Sequence, residues 1–259
     1  ITILNYLSAQ NDTMYILKNG AVIYQEAVTN IDSIIFHNPM ISNYFACGEA
    51  DSVQDKDGNW YQTVQVGTQC WMAENLNTGT MINSTTSGSQ QTNNNVIEKY
   101  CYNNNLTNCG LYGGLYEWNE AINYGISDTG SVGTTQGVCP TGWHIPTDKE
   151  WTTLTNTLGG IAVAGAKLKE VGTVHWSNPN IGATDSSNFT ALPGGWRYFS
   201  GGVFSHWLDR AHFWSSTEGF NSTHGNSRRL DHDKINVQRY VSSNSSNKLN
   251  GFSIRCVKD

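Results

Sequence analysis

Apolar positions along this chain come in short runs whose period switches between three-to-four and two, with polar stretches between them. The strongest helical signal begins at Asp148. Thr147 followed three residues later by Glu150 is a capping box, in which the hydroxyl accepts from the Glu150 amide and the carboxylate returns to the Thr147 amide. Trp151, Leu154 and Leu158 then share one face, and Gly159-Gly160 supplies a left-handed stop. Residues 116–124 read as an earlier helix and 162–169 as a short later one. Strand signals surround these helices. Residues 60–66 form a strand after an Asp57-Gly58 turn and lead through Gly67 into 71–76, whereas 78–99 have no apolar period and read as an exposed, mobile loop. From Trp176 onward, Gly194-Gly195 and Gly201-Gly202 punctuate short aromatic runs. Two main helices with twisted antiparallel sheets predict an α+β fold.

The N-terminal stretch has its own pattern. Apolar runs at 14–17 and 21–24 flank Lys18-Asn19-Gly20, a hairpin signal, and a third run covers 31–36. Residues 1–46 are therefore expected to be a small β-rich appendage, with 47–259 as the main domain. An isolated hairpin is only marginally stable, so the appendage needs a partner. That partner is either the main domain or a second molecule, the latter giving a homo-oligomer joined through the N-terminal strand. Residues 1–10 read either as a strand or as the tail of a secretory signal ending in small residues at Ser8-Ala9.

Composition narrows the class. Charged residues make up only 14%, while nine Trp and twelve Tyr supply much of the core of a loop-rich protein. The formal net charge of -6 argues against a nucleic-acid partner, which requires a basic footprint. No apolar run approaches the roughly 20 residues that cross a bilayer. Six cysteines, Cys47, Cys70, Cys101, Cys109, Cys139 and Cys256, form an even set without any C-x-x-C pair, which favours disulfides over zinc and implies an oxidising compartment. Proximity in the chain favours Cys101 with Cys109; the other pairings stay open at this level.

Seven motifs occur in a fixed order: D-K-D-G-N-W-Y at 55–61, W-M-A-E-N-L at 71–76, G-L-Y-E-W at 114–118, C-P-T-G-W-H-I-P-T-D-K-E-W at 139–151, L-P-G-G at 192–195, W-S-S-T at 214–217 and G-F-S-I-R-C-V at 251–257. From about Cys47 to the C-terminus this order resembles the Fibrobacter succinogenes major paralogous domain family. Through the P-T-D-K-E-W helix start and the terminal strand it is more distantly similar to the formylglycine-generating-enzyme family. The resemblance implies a C-type-lectin-like domain, and pairings of Cys47 with Cys70 and Cys139 with Cys256. The second pairing closes a loop of over a hundred residues, worth roughly 4–5 kcal/mol in the chain-entropy account. It also suggests a Bacteroidetes-type bacterial source, whose O-glycosylation signal of Asp-Ser/Thr before an apolar residue is matched at Thr13, Ser33 and Ser52. Fold likeness carries no activity with it.

Catalytic constellations are missing. A formylglycine-type enzyme needs a reactive cysteine pair, and the last hundred residues hold only Cys256. There is no H-x-x-x-H-x-E iron spacing and no G-x-S-x-G elbow. Asp231 and Asp233 read as solvated acids rather than a glycosidase pair, so the expected function is non-enzymatic. His144 is expected to be buried and to donate to a backbone carbonyl. His206, His212, His224 and His232 gather late in the chain with Asp209, without metal-motif spacing. No cofactor is expected except calcium at Asp55, Asp57 and Asn59, a loop start that lacks the later bidentate acid. The calcium-dependent sugar motifs E-P-N and W-N-D are absent.

What remains is the late segment, about 198–250, rich in large aromatic, arginine and small polar residues. Ligand-binding candidates are Trp207 and Trp214 as a floor, with Phe220, Asn221, Ser222, His224, Asn226, Arg228, Asp231, His232, Asp233, Arg239 and Tyr240, and Arg229 among them. The expectation is a secreted or cell-surface adhesion module that recognises a protein or glycan. Two other readings stand beside it: a structural subunit of an extracellular assembly joined by its N-terminal strand, and a binding protein diversified by a retroelement between the W-S-S-T and G-F-S-I-R-C-V anchors.

Overall fold

A computed structural model describes residues 13–18, 21–27, 47–48, 51–85 and 90–259, the first two segments by backbone alone. The chain divides into two compact units, residues 1–44 and 45–259. In the first, β1 (Thr13–Lys18) pairs antiparallel with β2 (Ala21–Ala27), with a register shift between Ile16 and Leu17. The hairpin signal is thus realised. The run at 31–36, Ser33 and residues 1–10 lie outside the described residues.

The second unit opens with β3 (Ser52–Gln54), β4 (Trp60–Val66) and β5 (Gln69–Met72), followed by the short β6 (Thr80–Met81) and β7 (Glu98–Lys99). Then come α1 (Leu106–Tyr112), α2 (Trp118–Ala121), β8 (Trp143–His144), α3 (Asp148–Thr157) and α4 (Ala164–Leu168). The late part holds β9 (Trp196–Arg197), β10 (Phe204–Ser205), β11 (Arg210–Glu218), β12 (His224–Asp231), β13 (Val237–Tyr240), β14 (Ser246–Asn247) and β15 (Val257–Lys258). One sheet runs β3-β4-β5-β15-β8, so the last strand is inserted between early ones; another runs β11-β12-β13 with β14 on β12. The architecture is α+β.

Several expectations change here. The helix read over 116–124 is realised only at α2, because Asn123 and Tyr124 turn left-handed at φ 50 and 55° and end it. α1 carried no amphipathic signal, since Leu106 and Leu111 face solvent while Cys109 and Tyr112 turn inward. Its start is local chemistry: the Asn105 side chain accepts from the Thr107 amide at 3.0 Å. The stretch 78–99 is not simply an exposed loop. β6 and β7 pair in parallel within it, and Thr78, Ser84 and Gln91 are buried. Gln91 Oε1 accepts from the Glu117 amide at 2.6 Å, and Ser84 Oγ accepts from Arg197 Nε at 2.7 Å, so polar residues serve here as interior hydrogen-bond partners.

The capping box of α3 is complete, with Glu150 N to Thr147 Oγ1 at 3.0 Å and Thr147 N to Glu150 Oε2 at 2.8 Å. Trp151 and Leu154 face the core, and Gly159 and Gly160 both sit at φ 98°. Three disulfides join Cys47 with Cys70, Cys101 with Cys109 and Cys139 with Cys256. The late sheet separates two apolar clusters. One holds Tyr116, Trp118, Trp214, Phe252 and the Cys139–Cys256 bridge; the other holds Trp71, Trp151, Trp176, Phe189, Phe213 and Leu230. Burying each such aromatic stabilises by about 2–3 kcal/mol. Their indoles also stitch the motifs together: Trp214 Nε1 donates to the Tyr116 carbonyl at 2.8 Å, Trp118 Nε1 to Ser215 at 2.8 Å and Trp151 Nε1 to Trp214 at 3.2 Å. The Arg255 guanidinium, just before β15, is likewise internal, donating to Asn75 and to the carbonyls of Met72, Phe189 and Thr190. Most of the motif residues are therefore fold residues.

Candidate functional site

Cross-strand register sorts the late sheet into two faces. Phe213 lies opposite Arg228, His212 opposite Arg229, Arg210 opposite Asp231, and Arg229 opposite Gln238. Because side chains alternate along each strand, Ala211, Phe213, Arg228, Leu230, Val237 and Arg239 share one face, while Arg210, His212, Trp214, Ser227, Arg229, Asp231, Gln238 and Tyr240 share the other.

The first face is closed by α3. Arg228 donates to Asp148 Oδ1 at 2.6 Å, to the Asp148 carbonyl at 2.8 Å and to Thr152 Oγ1 at 3.1 Å, and Arg239 grips the same carboxylate. Burial works against the Asp148 charge, but Arg239 and Arg228 overcome it and hold the carboxyl below its usual range. Position helps too, since Asp148 stands in the first turn of its helix.

The second face is partly open. Asp231 is its hub. Its side chain is buried, with Arg229 Nε at 2.8 Å, Lys234 Nζ at 3.0 Å and Arg210 Nε at 3.5 Å, and Gln238 donates to it as well. From behind, the Lys169 ammonium fixes the turn after β12, donating to the carbonyls of Asp231 at 3.1 Å, Lys234 at 2.8 Å and Ile181 at 3.1 Å. Burial pulls the Lys169 pKa down to about 8. Planar groups line the face: the Arg210 guanidinium lies 5.3 Å from the Trp196 ring, Arg229 5.1 Å from Tyr240, and His206 4.5 Å from Trp196. His212 stacks on Phe252 at 3.7 Å beneath them. Burial, and then the charges of Arg229 and Arg210, keep the His212 pKa well below its usual value; burial and Arg210 lower that of His206. Both imidazoles are thereby biased toward the neutral form beside two guanidiniums.

The structure does not gather the sequence candidates into one patch. Trp214 is fully buried and cannot floor a surface site; Arg228 and Asn226 are buried as well, Arg228 because it neutralises Asp148. Asp231 is buried too, as the hub of the open face, and Tyr240 is half-buried on that face. The Arg239 side chain is partly exposed while its head is tied to Asp148. Phe220, Asn221 and Ser222 are exposed in the turn between β11 and β12, where Asn221 Oδ1 accepts from the Thr223 amide at 3.0 Å and the Phe220 ring lies 4.6 Å from His224. β11 is nine residues long, so this turn stands roughly 25 Å from Arg210 at ~3.3 Å per residue. His232 and Asp233 lie past the other end of the sheet, half-buried and exposed respectively. Trp207 is 37% exposed at the base of the β9–β10 ribbon and stacks on Tyr102 at 5.3 Å. The residues that reasoning from sequence passed over are Trp196, Arg210 and Gln238. Of these, Arg210 opens the run R-A-H-F-W at 210–214, whose alternation was a usable signal, while Trp196 and Gln238 lie outside that run and reach the face through packing and strand pairing.

Other expectations resolve locally. His144 does not donate to a carbonyl. It lies between Glu150, 3.0 Å from Nε2, and Asp259, 2.7 Å from Nδ1. Burial opposes the imidazolium, but Glu150 and then Asp259 raise the pKa above its usual value. At the calcium candidate, Asp55 accepts from the amides of Asp57 and Asn59, from Asn59 Nδ2 and from the Tyr61 hydroxyl, while Asp57 accepts from Thr78 Oγ1 and the Gly79 amide. These donors use the oxygens that a cation would need, so Asp55, Asp57 and Asn59 form a turn-closing cluster. Among the described residues no group of three or more His, Cys, Asp or Glu side chains is placed to hold a metal. The four late histidines stay apart, with only His206 and His212 meeting across Trp196. Ser52 is half-buried in β3 and Thr13 lies in β1.

Residues 64–258 match the family model of the Fibrobacter succinogenes major domain. No curated protein and no solved structure matches the chain.

Proposed function

We propose that this chain, which belongs to the Fibrobacter succinogenes major domain family, is an extracellular, non-enzymatic binding module of C-type-lectin-like fold that recognises a protein or glycan through the open face of its late sheet. The observation that carries the reading is the set of planar and cationic groups, Trp196, His206, Arg210, Arg229 and Tyr240, arranged around the buried Asp231 carboxylate. Aromatic and arginine side chains held in place lose little entropy on contact and dominate recognition surfaces. Three disulfides fit an oxidising, extracellular setting, and no described helix is long and apolar enough to cross a membrane. The bonding of Cys256 to Cys139 leaves no thiol for formylglycine-type chemistry.

A screen against glycans and bacterial surface proteins, run with the whole chain and with Arg229→Gln, Tyr240→Ala and Phe220→Ala, tests this reading. Ligand lost in the first two variants and kept in the third is expected. Equal loss in Phe220→Ala would move the site to the β11–β12 turn, and an intact chain that captures nothing would sink the proposal.

A second reading has one observation in its favour: among the described residues, β1 has β2 as its sole strand partner, and such a ribbon favours strand addition. Deleting residues 1–46 and measuring mass by light scattering tests it, with a shift from oligomer to monomer expected.

A further inference from the structure

The open face selects a ligand chemistry. Arg210, Arg229 and Lys234 converge on the one carboxylate of Asp231, so cationic groups outnumber anionic ones even when Asp209, 3.9 Å from His206, is counted. This surplus runs against the formal net charge of -6 carried by the whole chain. Asp231 and Gln238 engage Nε and Nη2 of Arg229, and Asp231 and His206 engage Nε and Nη1 of Arg210. Arg229 Nη1 and Arg210 Nη2 keep their N–H groups unspent among the described residues. Asp231 thus fixes two guanidiniums in place while leaving each one free Nη, so the two arginines together, one donor group from each, can meet the paired oxygens of a carboxylate or sulfate.

The surroundings separate a sugar from a peptide. Trp196 and Tyr240 lie beneath the two guanidiniums and His206 lies against Trp196, so the rings back the guanidinium planes, and those planar groups form a flat floor along which a pyranose can lie. An acidic peptide would gain most from a strand edge, and these groups stand on a sheet face instead. We infer that the face binds an anionic saccharide, whose carboxylate or sulfate ester is received between Arg210 and Arg229 while its ring lies along the planar groups that Trp196 and Tyr240 back. This rests on the binding-module reading of the same face.

The test titrates the whole chain with polygalacturonate, dextran sulfate, neutral dextran and polyglutamate at low and at physiological ionic strength. One or both acidic polysaccharides should bind, which also tells carboxylate from sulfate, and neutral dextran should not. Arg210→Gln and Arg229→Gln should each weaken binding by about tenfold or more, the loss of a charge-assisted pair. Arg210→Lys keeps the charge, loses the fork and should fall between, with an unchanged circular dichroism spectrum. The inference is overturned if polyglutamate binds as tightly as the polysaccharides, if neutral dextran binds equally, if the arginine variants keep full affinity, or if none of the four probes binds. In the first two of these cases the module reading stands without its anionic sugar; the screen above judges that reading on its own.

Discussion

The two faces of the late sheet carry the same kind of cluster, an aspartate held by arginines, and put it to different use. On the α3 side, Asp148 is closed in by Arg228, which the helix covers, and is also gripped by Arg239, whose side chain stays partly in solvent. On the other side, Asp231 is as deeply buried, but the arginines around it keep part of their surface in solvent. The lesson is that residue type does not tell a structural ion pair from a recognition group. What decides is whether another element covers the guanidinium: under α3 both Nη groups of Arg228 are given to protein acceptors, whereas Arg229 Nη1 and Arg210 Nη2 have no partner among the described residues.

Removing the support that both faces share gives the largest expected effect. The Cys139–Cys256 bridge spans 117 residues and anchors the strand region behind Trp214 and Phe252. Replacing both cysteines by Ser should cost about 5 kcal/mol in the chain-entropy account, measured as a fall in the urea midpoint. Next is Arg228→Met. It leaves the Asp148 carboxylate under α3 with Arg239 alone and should destabilise by about 3 kcal/mol. A loss below about 1 kcal/mol in that variant would mean that the closed face is not held by its ion pair. Arg210→Gln on the open face should change stability by less than about 1 kcal/mol, since its pairing is partly solvated, while ligand binding falls.

Protonation sharpens the contrast most finely. His144, between two carboxylates beside α3, has a raised pKa, so folding gains from its charge below the ordinary histidine value and loses that gain as pH rises through the folded value. His212, beneath two arginines, has a lowered pKa, so the unfolded chain takes up its proton first; stability is full above the ordinary value and declines as pH falls below it. Unfolding free energies measured between about pH 5 and 9 should therefore fall on both sides of a maximum near the ordinary histidine range. His144→Gln should flatten the alkaline side and His212→Asn the acid side. Unaltered slopes in both variants would show that other groups set the pH profile.

Much of the fold was legible because its signals are local. The α3 capping box, the double-glycine stop and the β4 strand after the Asp57-Gly58 turn each lie within a dozen residues, and each is realised. α1 and the pairing of β6 with β7 were not legible. α1 rests on an asparagine cap and the Cys101–Cys109 bridge rather than on an apolar stripe, and β6–β7 is a two-residue contact. The site was legible in part. Tyr240, Asp231 and Arg229 were in view, but so were Arg228, Asn226 and Trp214, which the fold buries. Strand register carries Arg228 and Asn226 to the opposite face, one position away from Arg229 and Ser227, while Trp214 shares the open face and is buried there by its packing on Tyr116 and Phe252.

By itself, the sequence determined the helix boundaries that caps and glycines set, the strand runs that alternation sets, and the motif order that marks the family. These depend on backbone preferences and short-range hydrogen bonds, which neighbouring residues control. Tertiary structure alone decided that α3 would cover Arg228 and not Arg229, that Asp55 and Asp57 would spend their oxygens on their own turn and on Thr78 and Gly79, and that Arg210, from another strand, would meet Trp196 and Asp231. Each of those outcomes joins residues brought together by packing, where burial and the competition for hydrogen bonds are settled.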